Sequence, residues 1–230
     1  MDDPNHKSVP RLTLPGLAAV AVIAACGTTG RAPASSGVEP AVGQPGALSP
    51  AALAKADSGR PPYTAADVRF MAGMIGHHAQ AVLMAGWAPT HDASLAVRAL
   101  CERIVVGQRD EIAFMQRWLR ERHETVPAAD GSHRMPGMSL PALMPGMLTD
   151  DQLALLDRAR GAEFDRLFLT FMIQHHQGAI TMVEQLFSAH GAAQDDNVFK
   201  FASDVNADQT TEIDRMGSML AALSPGAKER

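Results

Sequence analysis

Asp67-Val-Arg-Phe70-Met71-Ala-Gly-Met74-Ile-Gly-His77-His78-Ala-Gln-Ala81-Val-Leu-Met84 decides the fold, because the chain carries it twice. The second copy reads Asp165-Arg-Leu-Phe168-Leu169-Thr-Phe-Met172-Ile-Gln-His175-His176-Gln-Gly-Ala179-Ile-Thr-Met182. Asp, Phe, Met, His-His, Ala and Met recur in one order at a constant offset of 98 positions, 67 to 165 and 77 to 175. An internal repeat of this kind fixes the architecture before any single element is considered.

The spacing within each copy is helical. Phe70, Met74, His77, Ala81 and Met84 alternate steps of four and three, as do Phe168, Met172, His175, Ala179 and Met182. Such residues share one stripe of an α-helix. Each stripe sets an imidazole between a thioether one turn before it and another two turns after it. His78 and His176 point about 100° round the helix and flank the stripe or face water.

A methionine at helical spacing usually fills a core, and a lone histidine on an apolar face is usually a satisfied core residue. Two copies of the whole pattern weigh against coincidence. Thioether and imidazole together suit a soft ion such as Cu(I) far better than Mg²⁺ or Ca²⁺. Met74, His77, Met84, Met172, His175 and Met182 are therefore candidate metal ligands.

Working outward, Thr64 is a candidate N-cap with Asp67 three residues on, and Pro89 ends the first helix. A second helix is expected from about Asp92 to His123, with Leu95, Cys101, Ile104, Val105, Gln108, Ile112, Met115 and Leu119 on its apolar face and Arg and Glu on a solvated one. A third begins near Thr149, capped with Gln152, and runs through the second His pair. A fourth, about Asp196 to Leu223, echoes the second: Gln108, Glu111, Ile112, Met115 and Leu119 match Gln209, Glu212, Ile213, Met216 and Leu220. The repeated unit is thus a helical hairpin. Two such hairpins predict an all-α four-helix bundle over 63–223, with hairpins at 63–123 and 149–223 and a tail at 224–230.

Asp67 alone would read as a capping residue. Asp165 is expected well inside the third helix, so both are also candidates for a metal ligand or for the acceptor of an imidazole N–H. Cys101 reads as a buried structural thiol, with a soft ligand as the alternative.

The linker 124–148 holds His133-Arg-Met135-Pro-Gly-Met138 and then Met144-Pro-Gly-Met147. Pro-Gly suits the centre of a type II turn, which brings the flanking residues within about 7 Å. His133, Met135, Met138, Met144 and Met147 are candidates for a metal-capture loop, or for a hydrophobic strap across the bundle end.

The first 25 residues carry Lys7 and Arg11, then an apolar run ending Val22-Ile23-Ala24-Ala25-Cys26. That layout is expected for an export signal, and small residues before a cysteine for a lipoprotein signal with Cys26 lipidated. Residues 26–62, rich in Gly, Ala, Pro and Ser, read as a flexible tether. The expected location is extracytoplasmic and membrane-anchored. A net charge of −5 without basic clusters gives no case for nucleic acid.

The doubled Phe-x₃-Met-x₂-His-His-x₂-Ala-x₂-Met pattern, with its Met-rich linker, resembles the bacterial family called domain of unknown function 305. The resemblance spans about residues 63–223. It implies a ferritin-like bundle, a secreted or lipid-anchored location and, from some members, periplasmic copper binding and tolerance. Carried over by residue, it implies Met74, His77, His78, Met84, Met172, His175, His176 and Met182, which adds the second histidine of each pair. Di-iron chemistry is not expected, because no Glu-x-x-His occurs. Neither His-Glu-x-x-His nor a Gly-rich phosphate loop is present.

The leading expectation is an extracytoplasmic protein, not an enzyme, that sequesters or transfers Cu(I) or Ag(I) in metal tolerance. It needs no organic cofactor, and its partners are the ion, the membrane through the anchor, and a metal-donor or acceptor protein. The competing expectations are an interaction module with structural histidines and a Met-rich docking loop, and a copper-dependent redox enzyme.

Overall fold

The computed structural model describes residue 59, residues 62–130 and residues 144–223. The expectations for the signal peptide, the tether, Cys26, His133, Met135 and Met138 fall outside those residues. Five α-helices and no strands occur among them: α1 (Ala65–Gly86), α2 (Leu95–Glu121), α3 (Asp150–Arg158), α4 (Gly161–Ser188) and α5 (Asp196–Ala222). The four long helices form two hairpins, α1–α2 and α4–α5, which meet chiefly through α1 and α4. None is long and apolar enough to cross a membrane.

Local chemistry sets most helix starts. Thr64 and Asp67 form a reciprocal capping box on α1, as Thr149 and Gln152 do on α3. Ser94 and Asp195 cap α2 and α5 with their side-chain oxygens. After α1, Ala88–Thr90 makes a single 3₁₀ turn containing Pro89.

The third helix is not continuous. It breaks after Arg158 and restarts at Gly161, whose φ of +57° is the left-handed conformation that glycine tolerates. A long-range contact pins the break. The Gly161 N–H donates to the His91 carbonyl (2.9 Å), and His91 Nε2 meets the Asp157 carbonyl at 2.9 Å. Asp165 consequently lies in the opening turns of α4, not deep within a helix.

Burial follows position in the bundle. α1 and α4 are buried on most of their circumference, including all four histidines of the pairs, whereas α2 and α5 bury one face only. Two apolar clusters result. Met74, Met115 and Met182 belong to one with Phe70, Ile112, Phe201 and Val205; Met84, Met172 and Met216 belong to the other with Leu100, Ile104, Phe164 and Phe168. Cys101 sits in the second, and burial above all pushes its thiol up to about 12. That is a structural cysteine.

The hairpins are also tied by polar groups. The buried Arg122 guanidinium pairs with Asp195 and stacks on the Trp118 ring (4.1 Å), joining the end of α2 to the start of α5. Asp67 Oδ1 accepts from the Ala193 N–H (2.7 Å), and both Asp165 oxygens accept from the Ser94 N–H (3.2 and 3.3 Å). Each repeat therefore lends its aspartate to the loop that opens the other repeat's second helix.

Candidate metal centre

α1 and α4 run antiparallel and cross at the histidines. The rings of His77 and His175 face each other with centroids 3.8 Å apart, so the two stripes meet at one place. Because the crossing is antiparallel, Met74 of one stripe joins Met182 of the other in one cluster, and Met84 joins Met172 in the second. The centre is thus a pair of imidazoles with a pair of thioether side chains towards each end. All four methionines are buried.

The outer histidines have carboxylate partners contributed by the second helix of each hairpin. His176 Nε2 and Glu212 Oε2 are 2.6 Å apart. His78 Nε2 lies 2.8 Å from Glu111 Oε2, at ion-pair distance but off the hydrogen-bonding angle. Both glutamates stay partly exposed while both imidazoles are fully buried. These carboxylates, rather than Asp67 and Asp165, are the ones the structure sets beside the histidines. Residue pattern alone placed Glu111 and Glu212 on a solvated face; their recurrence in the echo of α2 by α5 was the signal available.

The linker closes the α1–α4 side. The Met147 N–H donates to the Met144 carbonyl (3.1 Å) across Pro145 and Gly146, and Gly146 has φ +75°, as a type II turn requires. His77 Nε2 donates to the Pro145 carbonyl at 3.0 Å. Gln80 holds Leu148 by both its N–H (2.8 Å) and its carbonyl (3.1 Å), and Gln174 Nε2 reaches the Gly146 carbonyl (3.3 Å). Met147 is buried. The Met144 sulfur and the Met182 methyl lie 3.2 and 3.4 Å from the point where a Cβ on Gly73 would sit, so the linker brings one thioether against α1 beside a stripe methionine.

Tautomers follow from these partners. The Pro145 carbonyl can only accept, so His77 carries its proton on Nε2; Glu212 imposes the same on His176 and Glu111 favours it on His78. Nδ1 of His77 is then a lone pair; it, Nδ1 of His78 and of His176, and both ring nitrogens of His175 are buried and without a hydrogen-bond partner among the described residues. Burial, reinforced by the neighbouring imidazoles, lowers His77 to about 3 and His175 well below the ordinary histidine value. The inner rings are neutral at physiological pH, which is the form that ligates metal.

Buried unpartnered nitrogens of this kind cost about 1–3 kcal/mol each unless something binds them. The donor set fits a soft ion: buried imidazoles, the inner pair neutral, with thioethers towards both ends. Among the described residues no three His, Cys, Asp or Glu side chains converge to chelate an ion by themselves. An ion bound here would therefore need sulfur ligands as well, and a set of that kind suits Cu(I) better than a hard cation.

Fold and site together define a duplicated helical-hairpin bundle with histidines and methionines buried together where α1 and α4 cross. Residues 67–220 match the family described as domain of unknown function (DUF305), and the chain belongs to that family. Among solved structures, it resembles a DUF305 protein from Streptomyces coelicolor, provisionally described as secreted (26% identity, TM-score 0.59, covering 72% of this chain and 96% of that one). A DUF305 fragment from Deinococcus radiodurans is 29% identical (TM-score 0.59, 70% and 99%). CopM in its Cu(II)-bound form is 28% identical (TM-score 0.54, 69% and 97%), and a Cu(I)-bound form of CopM is also similar. No curated protein matches the chain.

Proposed function

We propose that this protein is an extracytoplasmic carrier of Cu(I), able to accept Ag(I), that holds the ion in the chamber where α1 and α4 cross. The observation that carries the reading is the set of four buried imidazoles with unpartnered Nδ1 atoms, the inner two, His77 and His175, neutral, and His77 and His176 held from outside by oxygen acceptors. His77 and His175 supply the central nitrogens, His78 and His176 the flanking ones, and Met74, Met84, Met172 and Met182 the sulfurs. The copper-bound CopM structures support the same chemistry. Thioethers need no deprotonation and stay available in an oxidising compartment, which suits sequestration or hand-over rather than catalytic turnover. Export, the Cys26 lipid anchor and a donor or acceptor protein complete the proposal.

Anaerobic Cu(I) titration against a chromogenic chelator tests it. The wild type is expected to compete at stoichiometric levels, and His77→Ala/His175→Ala to lose that binding. Loss only on changing Met135, Met138, Met144 and Met147 to Leu moves the site to the linker. No competition by the wild type leaves the histidines structural, and the chain is then an interaction module.

A further inference from the structure

The Pro145–Gly146 turn covers His77, and the carboxylates that reach the outer histidines come from α2 and α5. A cleft of about 320 Å³ lies between them, lined by Gly107, Gln108 and Glu111 of α2 and by Asp208, Gln209 and Glu212 of α5. Glu111 and Glu212 are the side chains that touch His78 and His176, so each has one face on the cleft and an oxygen against an imidazole of the chamber. Gln108 and Gln209, both 3% exposed, line the same cleft; both amide atoms of Gln108 and the Oε1 of Gln209 have no hydrogen-bond partner among the described residues.

Buried amide groups opening on a cleft of this size, beside carboxylates, are what a passing cation can use in place of its hydration shell. The carboxylates already repel one another: burial, then Glu111, Asp204 and Glu212, push the Asp208 carboxyl up. Arg103 and Arg215 also line the cleft and offset part of this charge, while Glu111 and Glu212 pair with His78 and His176.

We propose that the cleft between α2 and α5 is the port through which the soft cation enters and leaves the chamber, with Glu111 and Glu212 as relay carboxylates between solvent and His78 and His176. The proposal rests on the metal-binding reading above. It assigns the Pro145–Gly146 turn a closing role, so exchange does not pass beneath the linker. It also explains why two glutamates that touch buried imidazoles remain partly in contact with water.

Release kinetics separate the port from the site. The protein is loaded with Cu(I) from its acetonitrile complex and mixed with excess bicinchoninate, in the range where the rate no longer depends on chelator concentration. Gly107→Trp adds bulk at the cleft wall, where a Cβ meets nothing within 4 Å. It is expected to slow release at least fivefold while the equilibrium affinity stays within threefold of wild type. Glu111→Gln/Glu212→Gln is expected to slow release as well. Wild-type release from Gly107→Trp overturns the port. Absence of Cu(I) binding by the wild type at equilibrium is a different result: it removes the metal-binding reading and the port with it.

Discussion

Gly178→Ala is expected to destabilise this protein although it replaces glycine by alanine inside a helix. An ideal Cβ on Gly178 would lie 1.9 Å from the Pro145 carbonyl oxygen, 2.3 Å from its carbon and 2.6 Å from the Gly146 Cα. Those atoms are backbone, so no rotamer relieves the clash and the turn must lift from α4. Lifting breaks the His77–Pro145 and Gln174–Gly146 hydrogen bonds and leaves His77 Nε2 buried and unpaired. A neutral bond contributes about 0.5–1.5 kcal/mol and an orphaned buried donor costs about 1–3 kcal/mol. Alanine regains about 0.8–1.0 kcal/mol of helix propensity. The net expectation is a loss of about 1–3 kcal/mol. Gly107→Ala is the comparison: its Cβ meets nothing, it lies mid-helix and exposed, and it should gain about 0.8–1.0 kcal/mol. Urea unfolding followed by circular dichroism should therefore move the two midpoints in opposite directions. If both move upward, the turn is not seated on Gly178 and the closed side of the chamber is wrongly described.

Metal-free stability should fall with acid. The unfolded chain protonates histidine near 6.5 and folded His77 only near 3, so between these values the folded state binds fewer protons. The stability that neutral His77 contributes is complete above about pH 6.5 and is lost as pH falls towards 3, at about 1.4 kcal/mol per pH unit, with His175 acting in the same direction. A flat profile of urea midpoints from pH 7.5 to 4.5 would count against neutral buried rings. Asp165→Ala should cost about 1.5–3 kcal/mol by stripping the charged acceptor from the Ser94 N–H, with Cu(I) affinity within twofold. Lost affinity at unchanged stability would make Asp165 a ligand instead. Cys101, buried and with its thiol pushed up to about 12, should resist a thiol reagent until the protein unfolds. Rapid modification of the folded protein would contradict that placement.

The helices were legible in the sequence because their causes are local. The four-and-three stripes, the Thr64–Asp67 and Thr149–Gln152 boxes and the Pro-Gly turn all act within a few residues. The break at Gly161 was not legible, since the partner that fixes it, His91, lies 70 positions away. Whether the stripes made one site or two also needed the crossing of α1 and α4, which no spacing encodes. Glu111 and Glu212 look like any solvated helix glutamate until the hairpin closes and sets each against an imidazole. Gly178 left a fainter trace. The first copy has Gly76 and Gln80 where the second has Gln174 and Gly178, and the linker uses Gln80, Gln174 and Gly178 of these. A single linker crossing a two-fold repeat must break its symmetry, and the glycine–glutamine exchange records where.

The measurement that bears most directly on the chamber is the X-ray absorption spectrum of the Cu(I)-loaded protein, taken beside His77→Ala/His175→Ala. The expected result is imidazole and sulfur scattering around one copper, with the imidazole component lost in the double variant. A spectrum dominated by sulfur alone and unchanged in that variant would put the ion in the linker and contradict a histidine–methionine chamber at the crossing of α1 and α4.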